Sequence, residues 1–111
     1  MTAYPAPLLA PQDPARALAL DARFYVDPAL HPFERRAIFA RSWQLLAHDS
    51  RLSVTGTHVV DAIADIPVLV VRDEAERLRL LHNVCRHRAG PLATADGCAK
   101  FLRCQYHGWT Y

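Results

Sequence analysis

Two short stretches carry the side chains most able to do chemistry. NVCRHRAGPL places Cys85 and His87 one residue apart, and RCQYHGWTY places Cys104 and His107 two residues apart. Sixteen residues separate His87 from Cys104. Thiolate and imidazole are both transition-metal ligands, so each stretch offers one sulfur and one nitrogen. A cysteine and a histidine so close together cannot easily chelate one ion, but they could reach two metals lying a bond length or two apart. Iron paired through sulfide offers that geometry. A single zinc in a Cys2His2 tetrahedron stays open as an alternative, although zinc modules usually open with a C-x2–4-C spacing.

The surrounding chain must bring these stretches together. Both follow strand-like runs, so each pair is expected on a tight loop capping a hairpin. Gly90-Pro91 and Gly108 lie just after the histidines, where the backbone must turn close to a bulky group. Trp43–His48, Thr57–Ile63, Ile66–Arg72 and Arg77–His82 read as short strands, with turns at Thr55-Gly56 and Asp73-Glu74-Ala75-Glu76; Lys100–Cys104 and Trp109–Tyr111 add two more. Upstream, Asp27-Pro28 looks like a helix start. Phe33, Ala37, Ala40 and Trp43 recur at helical spacing, which predicts an amphipathic helix over about 31–42 with Phe39 and Trp43 in the core. Residues 1–20 carry Pro5, Pro7, Pro11 and Pro14 and read as an extended arm. The expected fold is mainly β with an N-terminal α-helical lead-in.

Composition narrows the function classes. The chain has 111 residues, 51% hydrophobic and 22% charged, as in an ordinary soluble globular protein. Its formal net charge of +2 and lack of a Lys/Arg run speak against nucleic acid. No apolar run approaches the roughly eighteen residues of a membrane span. The proline-broken start lacks the basic leading region of a signal peptide. Three cysteines argue against a disulfide framework and for a reducing cytoplasm.

The pattern C-x-H, sixteen residues, C-x-x-H resembles the Rieske [2Fe–2S] motif, in which two histidines replace two cysteines on one iron. More narrowly, FERRAIFARSWQLLAH, IPVLVVRD, NVCRHRAGPL and YHGWTY resemble the N-terminal region of the large (alpha) subunit of Rieske-type aromatic ring-hydroxylating oxygenases, over about residues 20–111. The resemblance implies a Rieske-like antiparallel β domain over 43–111, behind the arm at 1–20 and a helical lead-in at 21–42. It implies that Cys85 and Cys104 bind the inner iron of a [2Fe–2S] cluster, and His87 and His107 the outer one. Backbone N–H groups around Arg88-Ala89-Gly90 and Gly108-Trp109 would then donate to the sulfurs, with Tyr106, Trp109, Arg88 and Pro91 close by. Respiratory members of the family carry an extra cysteine in each loop, at positions that here are Gly90 and Tyr106, so the oxygenase type is favoured.

On the same resemblance the function is one-electron relay from a ferredoxin or flavin reductase to an oxygenase's mononuclear iron. That iron sits in a catalytic non-haem iron domain which the family's pattern places after this region. It is expected to be absent here, the Rieske domain itself being C-terminally incomplete, so the chain alone is expected not to oxidise substrate or to supply catalytic residues. Intact members imply a homotrimer. A free-standing Rieske carrier and a zinc-stabilised interaction module are the competing readings. Cys98, His31, His48, His58 and His82 have no partners at ligand spacing and read as structural, with His82 packing or hydrogen-bonding beside the first loop. Arg86, Arg88, Lys100 and Arg103 against Asp96 leave residues 85–109 a local net charge of +3, which suits an acidic redox partner.

Overall fold

Two β-rich heptads separated by only two residues have little choice but to fold back on each other. In the computed structural model, which describes residues 11–111, they form β1 (Thr57–Ile63) and β2 (Ile66–Arg72), antiparallel with Ile63 opposite Ile66. The turn residues Ala64 and Asp65 both have positive φ, 50° and 68°, which matches the twist a two-residue hairpin requires. β3 (Leu78–His82) pairs with β2, and the short β4 (Gly97–Cys98) pairs with the other side of β1, giving a four-stranded sheet in the order β3-β2-β1-β4. The fold is thus mainly antiparallel β with a few short helices ahead of it.

Three consecutive residues of β2, Val68, Leu69 and Val70, are buried, so this central strand is covered on both faces. One core cluster joins Leu52, Val59 and Val70, with Leu46 and Ala47 packed on it. A second joins Cys85, Leu92 and Cys104, with Leu102 beside them. The Arg72 guanidinium stitches the first cluster's rim: it bonds the Leu52 carbonyl, the Glu76 carbonyl at 2.7 Å and the Asp49 carboxylate at 2.7 Å. Gly56 (φ 84°) lets the chain lie close against the residue that follows β4, since a Cβ there would stand 2.8 Å from the Ala99 carbonyl oxygen.

Contacts divide the chain into Met1–Phe33 and Glu34–Tyr111. In the first unit, residues 1–10, with Pro5 and Pro7 of the expected arm, lie outside the described residues. Residues 11–20 are exposed, with a turn in which Asp13 accepts from the N–H groups of Ala15 and Arg16. α1 (Arg23–Val26) starts where the Asp21 carboxylate accepts the Arg23 N–H at 3.0 Å.

The expected helix over 31–42 is shorter than its periodicity suggests. α2 covers Leu30–Ala37, beginning after an Asx turn in which Asp27 accepts from Ala29 N–H at 2.8 Å. A separate 3-10 turn follows at Phe39–Arg41. The Ile38 carbonyl explains the break: it accepts the Arg41 N–H and the Ser42 hydroxyl, both at 2.9 Å, instead of an α-helical partner. Phe39 and Trp43, expected in the core, are exposed. Trp43–His48 pairs with no strand; its Leu46 and Ala47 reach the core from irregular backbone.

Candidate metal centre

The two loops that carry the candidate ligands close on themselves in the same way. In the first, the Cys85 N–H donates to the Gly90 carbonyl at 2.7 Å and the Ala89 N–H donates back to the Cys85 carbonyl at 2.9 Å. In the second, the Cys104 N–H donates to the Trp109 carbonyl at 2.8 Å and the Gly108 N–H to the Cys104 carbonyl at 2.9 Å. The fifth residue of each loop is left-handed: Ala89 at φ 57° and Gly108 at φ 74°. The loops are therefore one backbone device used twice. The histidine is its third residue in one copy and its fourth in the other.

The flanks differ. The second loop closes a minimal hairpin in place of the full strands expected over Lys100–Cys104 and Trp109–Tyr111: Leu102 and Tyr111 exchange two backbone hydrogen bonds of 2.9 Å, and Arg103 bridges Thr110. The first loop follows β3 but has no returning strand. Asn83 takes that place. Its buried side chain accepts from the N–H groups of Leu92 (2.9 Å) and Ala93 (3.1 Å) and donates to the Ala93 carbonyl (2.7 Å), while its own N–H bonds Pro67.

The donors sort by kind. Cys85 and Cys104 are 2% and 3% exposed and share one buried cluster. Gly90 makes room between the loops, since a Cβ there would lie 3.4 Å from the Cys104 sulfur. His87 and His107 are exposed, and their rings meet edge-on with centroids 4.8 Å apart. All three cysteines are free thiols. Among the described residues no three His, Cys, Asp or Glu side chains gather as a site for one ion. Sulfur beside sulfur and imidazole beside imidazole are residues that fit a two-iron centre with unlike ends.

Aromatic rings frame the centre. The Tyr106 ring lies against His107 at 3.7 Å, and the Trp109 indole stacks on His87 across the loops at 5.0 Å. The Tyr111 hydroxyl accepts the Arg86 N–H at 3.0 Å and stands 3.1 Å from the Cys85 sulfur, so its proton is available to that sulfur. Tyr111 holds the Cys85 thiol below its ordinary pKa, helped by the N–H groups of His87 and Arg88 and opposed by burial. The same contact pushes the Tyr111 phenol up. Sequence reasoning passed over both Tyr111 and Asn83. Of the N–H groups expected around Arg88-Ala89-Gly90 and Gly108-Trp109, that of Arg88 acts on the Cys85 sulfur, whereas those of Ala89 and Gly108 donate to cysteine carbonyls.

Pro91 and His31 are exposed, and so is His82, which was expected to pack. His48 accepts the Ser50 N–H at 3.2 Å and caps the turn at Asp49–Leu52. His58 is buried in β1 against Gly97. Cys98 is exposed, its sulfur 3.7 Å from the Thr55 carbonyl. A largely apolar groove of about 900 Å³ is lined by Val84, Leu92, Phe101 and Tyr111 among others, and neither His87 nor His107 borders it. No helix among the described residues is long and apolar enough to cross a membrane.

Known proteins resemble the chain over most of its length. The family model for the Rieske [2Fe–2S] domain matches residues 42–111. The chain is 41% identical over 93 residues to the biphenyl 2,3-dioxygenase subunit alpha of Rhodococcus jostii, covering 83% of this chain and 20% of that one. It is 35% identical over 100 residues to the carnitine monooxygenase oxygenase subunit of Escherichia coli, covering 89% and 27% respectively. Among solved structures, naphthalene 1,2-dioxygenase from Rhodococcus sp. superposes with a TM-score of 0.78 at 39% identity, over 83% of this chain and 21% of that one. The chain thus spans about a fifth to a quarter of the length of these relatives. It belongs to the Rieske [2Fe–2S] domain family, as carried by the alpha subunits of Rieske dioxygenases, and its cofactor is a Rieske-type cluster.

Proposed function

We propose that Cys85 and Cys104 hold one iron of the cluster and His87 and His107 the other, and that the chain relays single electrons to the mononuclear iron of an oxygenase. The sorting of donors carries this reading: thiols paired in the interior, imidazoles paired at the surface. When bound, a cluster with such mixed ligands supplies a one-electron carrier, with a potential between about −150 and +300 mV against about −400 mV for four thiolates.

The chain's own residues divide the work. Leu92 and Leu102 keep water from the sulfurs. Tyr111 donates to Cys85, which favours added negative charge there. The exposed imidazole edges give electrons a short way out, and the exposed Arg86, Arg88, Lys100 and Arg103 suit an acidic donor such as a ferredoxin or a flavin reductase. Relatives named as biphenyl dioxygenase and carnitine monooxygenase subunits support oxygenation as the electron's destination.

Anaerobic reconstitution with iron and sulfide, followed by EPR of the reduced protein, tests the assignment. The spectrum should show nitrogen coupling, and it should vanish in Cys85→Ala and Cys104→Ala. His87→Cys and His107→Cys should shift the potential downward. An unchanged cluster in any of the four variants, or tight zinc binding with no iron cluster, would sink the reading.

A further inference from the structure

The indole of Trp109 stands in an unusual relation to the first loop. It lies parallel to the His87 imidazole within 5°, with centroids 5.0 Å apart, an offset stack. His107 approaches the same imidazole at 63° and 4.8 Å. Stacking limits how far the His87 ring can tilt, and the edge contact limits how far it can slide, so the two together restrict a side chain that otherwise faces solvent. Trp109 is also anchored from behind, because its carbonyl accepts the Cys104 N–H at 2.8 Å. Its backbone is therefore tied to the cysteine of one loop while its ring rests on the histidine of the other.

Exposure separates this role from core filling. Trp109 is 50% exposed and lies outside both buried clusters. An indole with half its surface in water contributes little burial for its size. What it does contribute is a flat wall against one face of an imidazole. Tyr106 offers His107 a similar wall, but from the adjacent residue of the same loop.

We infer that Trp109 is a positioning residue: its indole fixes the orientation of the His87 imidazole and keeps water from one of its faces, joining the two loops at the point where the electron leaves. The inference rests on His87 being a cluster ligand, and the test separates the two.

The 111-residue chain with Trp109→Ala and Trp109→Phe is compared with the parent by two measurements. In the metal-free protein, the indole ring current should move the His87 ring protons upfield in NMR spectra, with His87→Gln giving the assignment. That shift should be lost in Trp109→Ala and partly kept in Trp109→Phe. In the reconstituted protein, pulsed EPR should show a broadened spread of nitrogen couplings in Trp109→Ala, at unchanged iron content, and near-parental couplings in Trp109→Phe. Identical His87 shifts in parent and Trp109→Ala would overturn the inference. So would identical nitrogen couplings, or a Trp109→Phe chain as altered as Trp109→Ala in both measurements. If Trp109→Ala fails to fold, Trp109→Phe decides alone: shifts and couplings close to the parent support the inference, and their loss overturns it. A parent that shows the upfield shift but no nitrogen coupling would refute the ligand assignment and leave the stack standing.

Discussion

The phenol oxygen of Tyr111 sits 3.1 Å from the sulfur of Cys85 while accepting the Arg86 N–H at 3.0 Å. One side chain thus reaches from the end of the second loop's hairpin to the first loop's cysteine. Removing the hydroxyl in Tyr111→Phe takes a donor from a sulfur that gains negative charge on reduction. If about 1 kcal/mol of hydrogen bonding is lost, the potential should fall by about 40 mV, read by redox titration. In the metal-free chain the Cys85 thiol should become less acidic, so its alkylation rate should rise only at higher pH. An unchanged potential and an unchanged alkylation profile would refute the role.

The paired left-handed positions answer differently to substitution. Gly108→Ala should destabilise the chain by about 1–2 kcal/mol, because an alanine Cβ is strained there, and it would also crowd the Arg103 guanidinium at 3.2 Å. Ala89→Gly removes that strain but frees the unfolded chain, so its effect should stay within about 1 kcal/mol of zero. Urea unfolding of both variants checks the contrast.

Asn83→Ala should cost at least about 2 kcal/mol, because it leaves the buried Leu92 N–H without its acceptor and frees the Ala93 backbone. Cluster content after reconstitution should drop with it, since the return path of the first loop hangs on this side chain. Full cluster content with unaltered stability would show that Asn83 fastens nothing.

Asp73 contributes to how stability depends on pH. Arg79 donates to its carboxylate at 2.8 Å, Arg77 at 3.2 Å, and the N–H groups of Ala75 and Arg77 at 2.9 Å each. These donors, Arg79 first, hold its carboxyl well below the usual carboxylate range. The unfolded chain, with an ordinary value of about 3.9, therefore binds a proton before the folded one does as pH falls. Its contribution is complete above that ordinary value and disappears as pH drops through the folded one. Asp73→Asn should be less stable than the parent near neutrality and should lose less stability on acidification. Parallel stability–pH curves would contradict this.

Much of the architecture was readable because its signals are local. The two-residue link between Ile63 and Ile66, the Asp73–Glu76 turn and the spacing within each loop all act over a few residues, and the sheet follows from them. What escaped depends on distant or silent partners. Nothing in the letters of Ala64 or Ala89 announces positive φ, because alanine tolerates that conformation only when the surrounding chain imposes it. Helical spacing placed Trp43 in a core it does not enter, because the helix ends at Ala37 where Ser42 competes for a carbonyl. Asn83 and Tyr111 were invisible for a related reason: their partners lie 9 and 10, and 26 residues away, and only the folded chain brings them into reach.

Each cysteine fastens its loop with its own amide and carbonyl. The backbone beneath each sulfur is thereby held in place, and only rotation about the Cα–Cβ bond is left to the side chain. Fraying of either hexapeptide displaces its sulfur, so conditions that speed deuterium exchange at the amides of Cys85 and Cys104 should also speed bleaching of the holoprotein.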